Sequence, residues 1–184
     1  MQLALGGRLT GGQHTSVSRL LDTNSLASKG LYDNGGELWF SIFADGVGMT
    51  FELKNPNIGI GFKTHGHKMT IDAILNGEKT GSSRNPWSRS ANLRFPEGEP
   101  TMIVGRCVWG QSDDEKDRME IYRTFNAPVF GPLLVEEPVC VLEEVIDQKS
   151  INAIRLEMGD KRAVDEIRIG PSLHSVLMGT KPLR

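Results

Sequence analysis

The stretch "TMIVGRCVWGQSDDEKDRMEIYRTF" (Thr101–Phe125) decides the fold class. Two runs rich in β-branched and aromatic residues stand on either side of a charged connection. In the second run, Met119, Ile121 and Arg123 alternate with Glu120, Tyr122 and Thr124, a period of two with one mixed face. Apolar recurrence at three and four positions, as a helix needs, is absent. Between the runs, Asp113–Glu120 carries seven charges in eight residues and reads as the solvated tip of a hairpin.

The same pattern repeats on both sides. "LWFSIFA" (Leu38–Ala44) runs into the turn "DGVG", and "MTFELK" (Met49–Lys54) ends at "NPN". "IGIGFK" (Ile58–Lys63) puts Ile58, Ile60 and Phe62 on one face and glycines on the other, and "KMTIDAIL" closes at the Asn76-Gly77 turn signal. "INAIRLEM" (Ile151–Met158) and "AVDEIRIG" (Ala163–Gly170) follow, and "LALGGRLT" and "SVSRLLDT" add weaker strands. Two segments read as long loops, Asn76–Pro100 and Asn126–Pro138, and two as a helical turn or so, Val139–Gln148 and Ser172–Gly179. With 21 glycines and 9 prolines as punctuation, about eight to eleven short strands predict an all-β, two-sheet antiparallel sandwich.

The 184 residues suit one domain, 1–184, with a sizeable core. A formal charge of −2 provides no broad basic surface for nucleic acid and no polybasic membrane patch. The apolar runs are too short for a transmembrane segment. "MQLALGGRLTGG" lacks the charged start and apolar stretch of a secretory signal, and a strand-like segment begins at once, so an excised or processed domain of a larger protein is expected. Cys107 and Cys140 fit either a disulfide or two buried thiols.

The ordered set "GGRLT … SRLLDT … GGELWFSIFA … IGIGF … TMIVGRCVWG … DRMEIYRTFN … INAIRLEMG … AVDEIRIG" resembles the laminin-G-like, concanavalin A-like jelly-roll domains of large bacterial surface proteins, planctomycete ones especially. It spans about Gly6 to Leu177 and is strongest in the C-terminal quarter. The resemblance implies a jelly roll and an extracellular or cell-surface setting. It leaves function open, because this fold carries lectins, hydrolases and adhesive modules alike.

Asp165 and Glu166 stand at the head of a strand, where acids are poor formers. A catalytic pair, a metal site and an ordinary strand entry are the three readings. By resemblance to laminarinase-type sandwiches, Asp165 matches an aspartate that binds structural Ca²⁺, with backbone carbonyls such as those of "GGRLTGG" completing the shell. The residues themselves favour strand entry, with Glu166 and Arg168 a solvated pair. The E-x-D-x-E motif of those hydrolases is missing. Its nearest substitute, Glu115, Asp117 and Met119, lacks one carboxylate and lies in the hairpin tip. The acid pairs Glu136-Glu137 and Glu143-Glu144 are adjacent and splay apart on a strand. His65 and His67 have the spacing of metal ligands on a strand, but His14 and His174 are remote, and an exposed pair is expected. Neither a G-x-S-x-G nor a phosphate loop is present.

For ligand binding, "TGSSRNPWSRSANLR" places Trp87 beside Asn85 and between Arg84 and Arg89, a ring with planar polar neighbours suited to a sugar; Arg84, Arg89 and Arg94 also suit an acidic glycan. Trp39 and Trp109 lie in strong strand runs and read first as core or sheet-face residues. Val129, Phe130, Leu133 and Leu134 suit a cover for the sandwich edge or a contact with a neighbouring protein domain. The expectation is a non-catalytic carbohydrate-binding or adhesion module. A glycoside hydrolase or lyase and a structural docking module are the alternatives.

Overall fold

The alternation becomes a two-sheet antiparallel jelly-roll sandwich in a computed structural model, which describes residues 3–5, 9–10, 15–45, 48–65, 68–86, 100–123, 137–159 and 163–177. One sheet has seven strands, ordered β1 (Leu3–Leu5), β13 (Ala163–Gly170), β4 (Glu37–Asp45), β9 (Pro100–Val108), β10 (Asp117–Arg123) and β11 (Cys140–Glu144), with β2 (Leu9–Thr10) also on β13. The other has six, ordered β3 (Thr15–Leu20), β12 (Ala153–Met158), β5 (Met49–Lys54), β6 (Gly59–His65), β7 (Lys68–Leu75) and β8 (Glu78–Pro86). Two short helices, α1 (Thr23–Ala27) and α2 (Leu173–Leu177), complete the described elements with a 3₁₀ turn at Gln148–Ser150. Neither helix is long and apolar enough to cross a membrane.

Alternate residues of facing strands fill the space between the sheets. Leu38, Phe40 and Ile42 of β4, Ile103 and Cys107 of β9, and Met119 and Ile121 of β10 meet Met49, Phe51 and Leu53 of β5 and Ile60 and Phe62 of β6, all buried. At the centre, the Phe40 and Phe51 rings lie 4.8 Å apart and the Phe51 and Phe62 rings 5.7 Å apart, a tilted aromatic packing that spans both sheets. Phe40 has room because its neighbour across the sheet is Gly105, where even a methyl group would fall inside the ring. Trp109 is buried as read, and its indole N–H donates to the Leu31 carbonyl at 2.6 Å. Cys107 and Cys140 are buried free thiols, and burial pushes the Cys107 thiol well up from its ordinary value.

The predicted turns form for local reasons. Asn76 and Gly77 both take positive φ, 53° and 82°, as a two-residue hairpin demands. At "NPN", the Asn55 side-chain oxygen accepts the amides of Asn57 and Ile58 at 2.7 and 2.8 Å.

Three sequence readings need correction. The supposed loop from Asn76 to Pro100 contains the nine-residue strand β8, a Ser/Thr-rich edge strand that pairs with β7 and has no apolar alternation to announce it. The helical turn at Val139–Gln148 is mainly β11, because pairing with β10 overrides a weak local preference. The charged tip is only half solvated. Residues 111–116 are exposed, but Asp117 is buried, where its two oxygens accept the Gly110 and Ile146 amides at 2.8 Å each. Burial raises the Asp117 pKa and those two bonds act against the rise.

The acids that head β13 form a bulge. Asp165 pairs with Phe43 and Ile167 with Ile42, so Glu166 is an extra residue, and it takes φ 49°. That one residue lets both Val164 and Ile167 face the core although they are three apart. Both acids are exposed, and Arg168 donates to the Glu166 carboxylate.

Replacing Gly105 by Ala is expected to destabilise the fold by about 1–3 kcal/mol through overpacking against Phe40. Urea denaturation measures this; a midpoint equal to wild type would mean the core yields at Phe40.

Candidate functional site

The two sheets present different surfaces to solvent. On the six-stranded sheet, the outward residues of β12 and β5 form a charged layer. Arg155 reaches Glu52 at 3.2 Å and Glu157 at 2.6 Å, and Lys54 lies 3.9 Å from Glu52. Beyond them, Gly59 and Gly61 of β6 pair with β5, and the stems of Lys54 and Glu52 occupy the space that side chains at those glycines would need. The backbone of Arg84 pairs opposite Thr70, and that of Asn85 opposite Met69, on the edge strand β8. Trp87 and Arg89 lie outside the described residues, as do His14, His67 and the 124–136 segment.

On the seven-stranded sheet, alternation turns Glu37 and Trp39 of β4, Arg106 of β9, Arg118, Glu120 and Tyr122 of β10 and Glu143 of β11 away from the core. Register brings them together: Trp39 is opposite Arg106, Arg106 opposite Glu120, and Arg118 opposite Glu143. The Arg106 guanidinium lies 5.4 Å over the Trp39 ring. It binds Glu37 through Nε at 3.2 Å and also through Nη2, and Glu120 through Nη1 at 3.4 Å. The Trp39 indole N–H donates to Glu37 at 2.9 Å. Arg118 donates to Glu120 at 2.8 Å and to Glu143 at 2.7 Å.

Tyr122 completes the arrangement. Strands β4 and β10 are separated by β9, about 9–10 Å apart, yet the Trp39 and Tyr122 rings are 6.1 Å apart and near parallel at 17°. Both rings therefore lean inward over β9. The Tyr122 hydroxyl donates to Glu120 at 2.6 Å. Next to this cluster, α2 packs on β4 and β13, where Ser41 donates its hydroxyl proton to the Val176 carbonyl at 2.8 Å and Arg168 donates to the Leu177 carbonyl at 3.1 Å. Part of the sheet face is thus covered and the rest displayed.

The electrostatics follow from these bonds. Arg106 holds the Glu37 carboxyl below its ordinary 4.5, and Glu37 in turn raises Arg106. Burial by itself would raise Glu120, but the Tyr122 hydroxyl, the Arg118 hydrogen bond and both guanidinium charges outweigh it, and Glu120 also ends below 4.5. Burial, then the bond to Glu120, pushes Tyr122 up to about 12. At neutral pH the carboxylates are ionised and the phenol keeps its proton. The face can offer a ring edge and planar hydrogen-bonding groups, but neither a protonated carboxylic acid nor a phenolate base.

Trp39 was legible as a sheet-face residue, whereas Glu37, Arg106, Glu120 and Tyr122 went unmarked as a site. The signal was the mixed face of "RMEIYRTF", which is this face. At Asp165, the described side chains do not form a calcium shell on their own. Glu166 is engaged by Arg168, and no three His, Cys, Asp or Glu residues converge among the described residues. The segments β1 and β2 do pair with β13 on either side of the bulge.

No family model matches this sequence, and no curated protein matches it. Solved structures with a similar fold include sheep galectin-11 in complex with glycerol, at 8% identity and TM-score 0.43 over 85% of this chain and 98% of that one. The CBM2 module of the evolved Dit of Lactobacillus casei BL23 phage J-1 has 10% identity and TM-score 0.45 over 87% and 74%. An endo-β-1,4-glucuronan lyase of the fungus Trichoderma reesei has 12% identity and TM-score 0.40 over 95% and 82%. At these values the likenesses carry no argument about ligand or activity.

The depressed carboxyls give a pH signature. Their contribution to stability is complete above the ordinary value of 4.5 and is lost as pH falls through the lower folded-state values. Melting temperatures of wild type should therefore drop more between about pH 4.5 and pH 3 than those of Glu37→Gln. Parallel curves for the two proteins would show that the Glu37–Arg106 pair is not formed in solution.

Proposed function

We propose that this chain is a non-catalytic carbohydrate-recognition or adhesion module, a laminin-G-like, concanavalin A-like domain of a surface or secreted protein. The observation that carries this reading is the Trp39 ring, half-buried and ringed by planar donors and acceptors from four adjacent strands. A sugar presents apolar C–H faces and a rim of hydroxyls, and recognising it calls for an aromatic surface beside planar hydrogen-bonding groups. Rigid strands place those groups more accurately than loops do. Every carboxylate of the cluster is held by a guanidinium, which suits binding better than proton transfer.

Trp87, with Arg84, Asn85 and Arg89, is the second ring this reading draws on. Calcium enters as a structural ion at Asp165, completed by main-chain oxygens. Both belong to the same proposal.

The test is a glycan array probed with the purified chain, in calcium and again in EDTA. One glycan class should be retained by wild type. Trp39→Ala should weaken that binding about tenfold or more, the scale of one lost stacking contact, with unchanged circular dichroism. Trp87→Ala is the parallel variant for the second ring. Binding that persists in both variants would remove the rings from the site, and no retention in either buffer would overturn the recognition reading. Loss of binding in EDTA without loss of fold would support the calcium.

A further inference from the structure

We propose that Glu37 and Glu120 set the charge class of the ligand: the face around Trp39 takes uncharged, hydroxyl-rich chains and turns away carboxylated or sulfated ones. This rests on the recognition reading above and narrows it.

An exposed arginine stacked on a tryptophan is ordinarily a good receptor for an anionic sugar, because a guanidinium grips carboxylate or sulfate through two parallel bonds. In this face that grip is already taken. Glu37 accepts both Nε and Nη2 of Arg106, the two-pronged contact an external carboxylate would make, and Glu120 accepts Nη1. Arg118 is likewise committed to Glu120 and Glu143. The chain supplies its own anions at the positions a ligand's anion would need.

Charge reinforces geometry. Three carboxylates face two guanidinium groups, a net of −1, so an incoming anion meets repulsion before any bond forms. A hydroxyl suits the surface. It both donates and accepts, so it can use the remaining carboxylate lone pairs and the remaining guanidinium N–H groups without breaking an ion pair.

The two glutamates differ in role. Glu37 lies at the rim, its side chain 38% exposed, and occupies Arg106 from outside. Glu120, 8% exposed, is a positioning residue that bonds Arg106, Arg118 and Tyr122 at once. Replacing Glu37 should free the outer prongs of Arg106 while Glu120 keeps the guanidinium in place.

The test uses the full chain on an array of neutral and anionic glycans, at about 20 mM and about 500 mM salt. Of the wild-type ligands, those lost in Trp39→Ala should be neutral glycans only, with little salt dependence. Glu37→Gln should gain at least about tenfold in affinity for carboxylated or sulfated glycans, in a salt-sensitive manner. The gain should disappear when Arg106→Gln is added, which separates local unmasking from a general change in surface charge. Anionic glycans among the ligands lost in Trp39→Ala, or no gain in Glu37→Gln, would overturn the charge rule while leaving carbohydrate recognition standing. Absence of any glycan binding by either protein would bring down the recognition reading itself, and this inference with it.

Discussion

Everything on the outside of the seven-stranded sheet depends on a contact inside it, the Phe40 ring lying against the backbone of Gly105. Side chains alternate with a period of two, so sliding β9 along β4 by one residue would exchange its inner and outer faces. The glycine blocks that slip. Only position 105 leaves room for the ring, and the ring in turn packs on Phe51 and Phe62 of the opposite sheet. With that pairing fixed, Trp39 stands opposite Arg106, and the adjoining β10 register puts Glu120 next in line. The core thereby sets the spacing of the polar face.

That polar face gains its order from partial burial. Exposed ion pairs contribute little, because water and salt screen them and long side chains lose entropy. Glu120 is in another regime. Its carboxylate is nearly covered, is pushed upward by burial and brought back down by three partners, so removing any of them leaves a poorly solvated charge. The arginines cannot swing away without that cost. Tyr122 and Trp39 lean together over β9 beside them, and α2, tied down at Ser41 and Arg168, borders the displayed area. The side chains of this face are thereby preorganised before any partner arrives.

The strands were legible where one face is core, since burial forces alternation. Met119 and Ile121, or Ile60 and Phe62, could sit nowhere else. Legibility failed at the edges. β8 is an edge strand in Ser, Thr and Lys whose backbone pairs with β7, and nothing in its composition distinguishes it from a loop. β11 carries adjacent acids whose different surroundings only its pairing with β10 reveals, Glu143 on Arg118 and Glu144 beside Asp117. The charged run Asp113–Glu120 misled for a related reason: a count of charges does not distinguish exposed Asp114 from Asp117, which ties together two turns from within. The polar cluster was the least legible feature. Its members come from four strands spread between residues 37 and 143, and only inter-strand register, which no local pattern encodes, makes them neighbours.

The bulge at Asp165–Glu166 has a consequence for the length of the strand. Because Glu166 is supernumerary, β13 consists of two half-strands whose reading frames differ by one residue, and each keeps its own apolar positions inward. A relative with one residue fewer between Val164 and Ile167 would need no compensating change on either side to keep the same interior. A gapless comparison across the joint would pair inward residues of one chain with outward residues of the other. In β13 the extra residue is thus accommodated in the middle of the strand, and each half keeps its own inward positions.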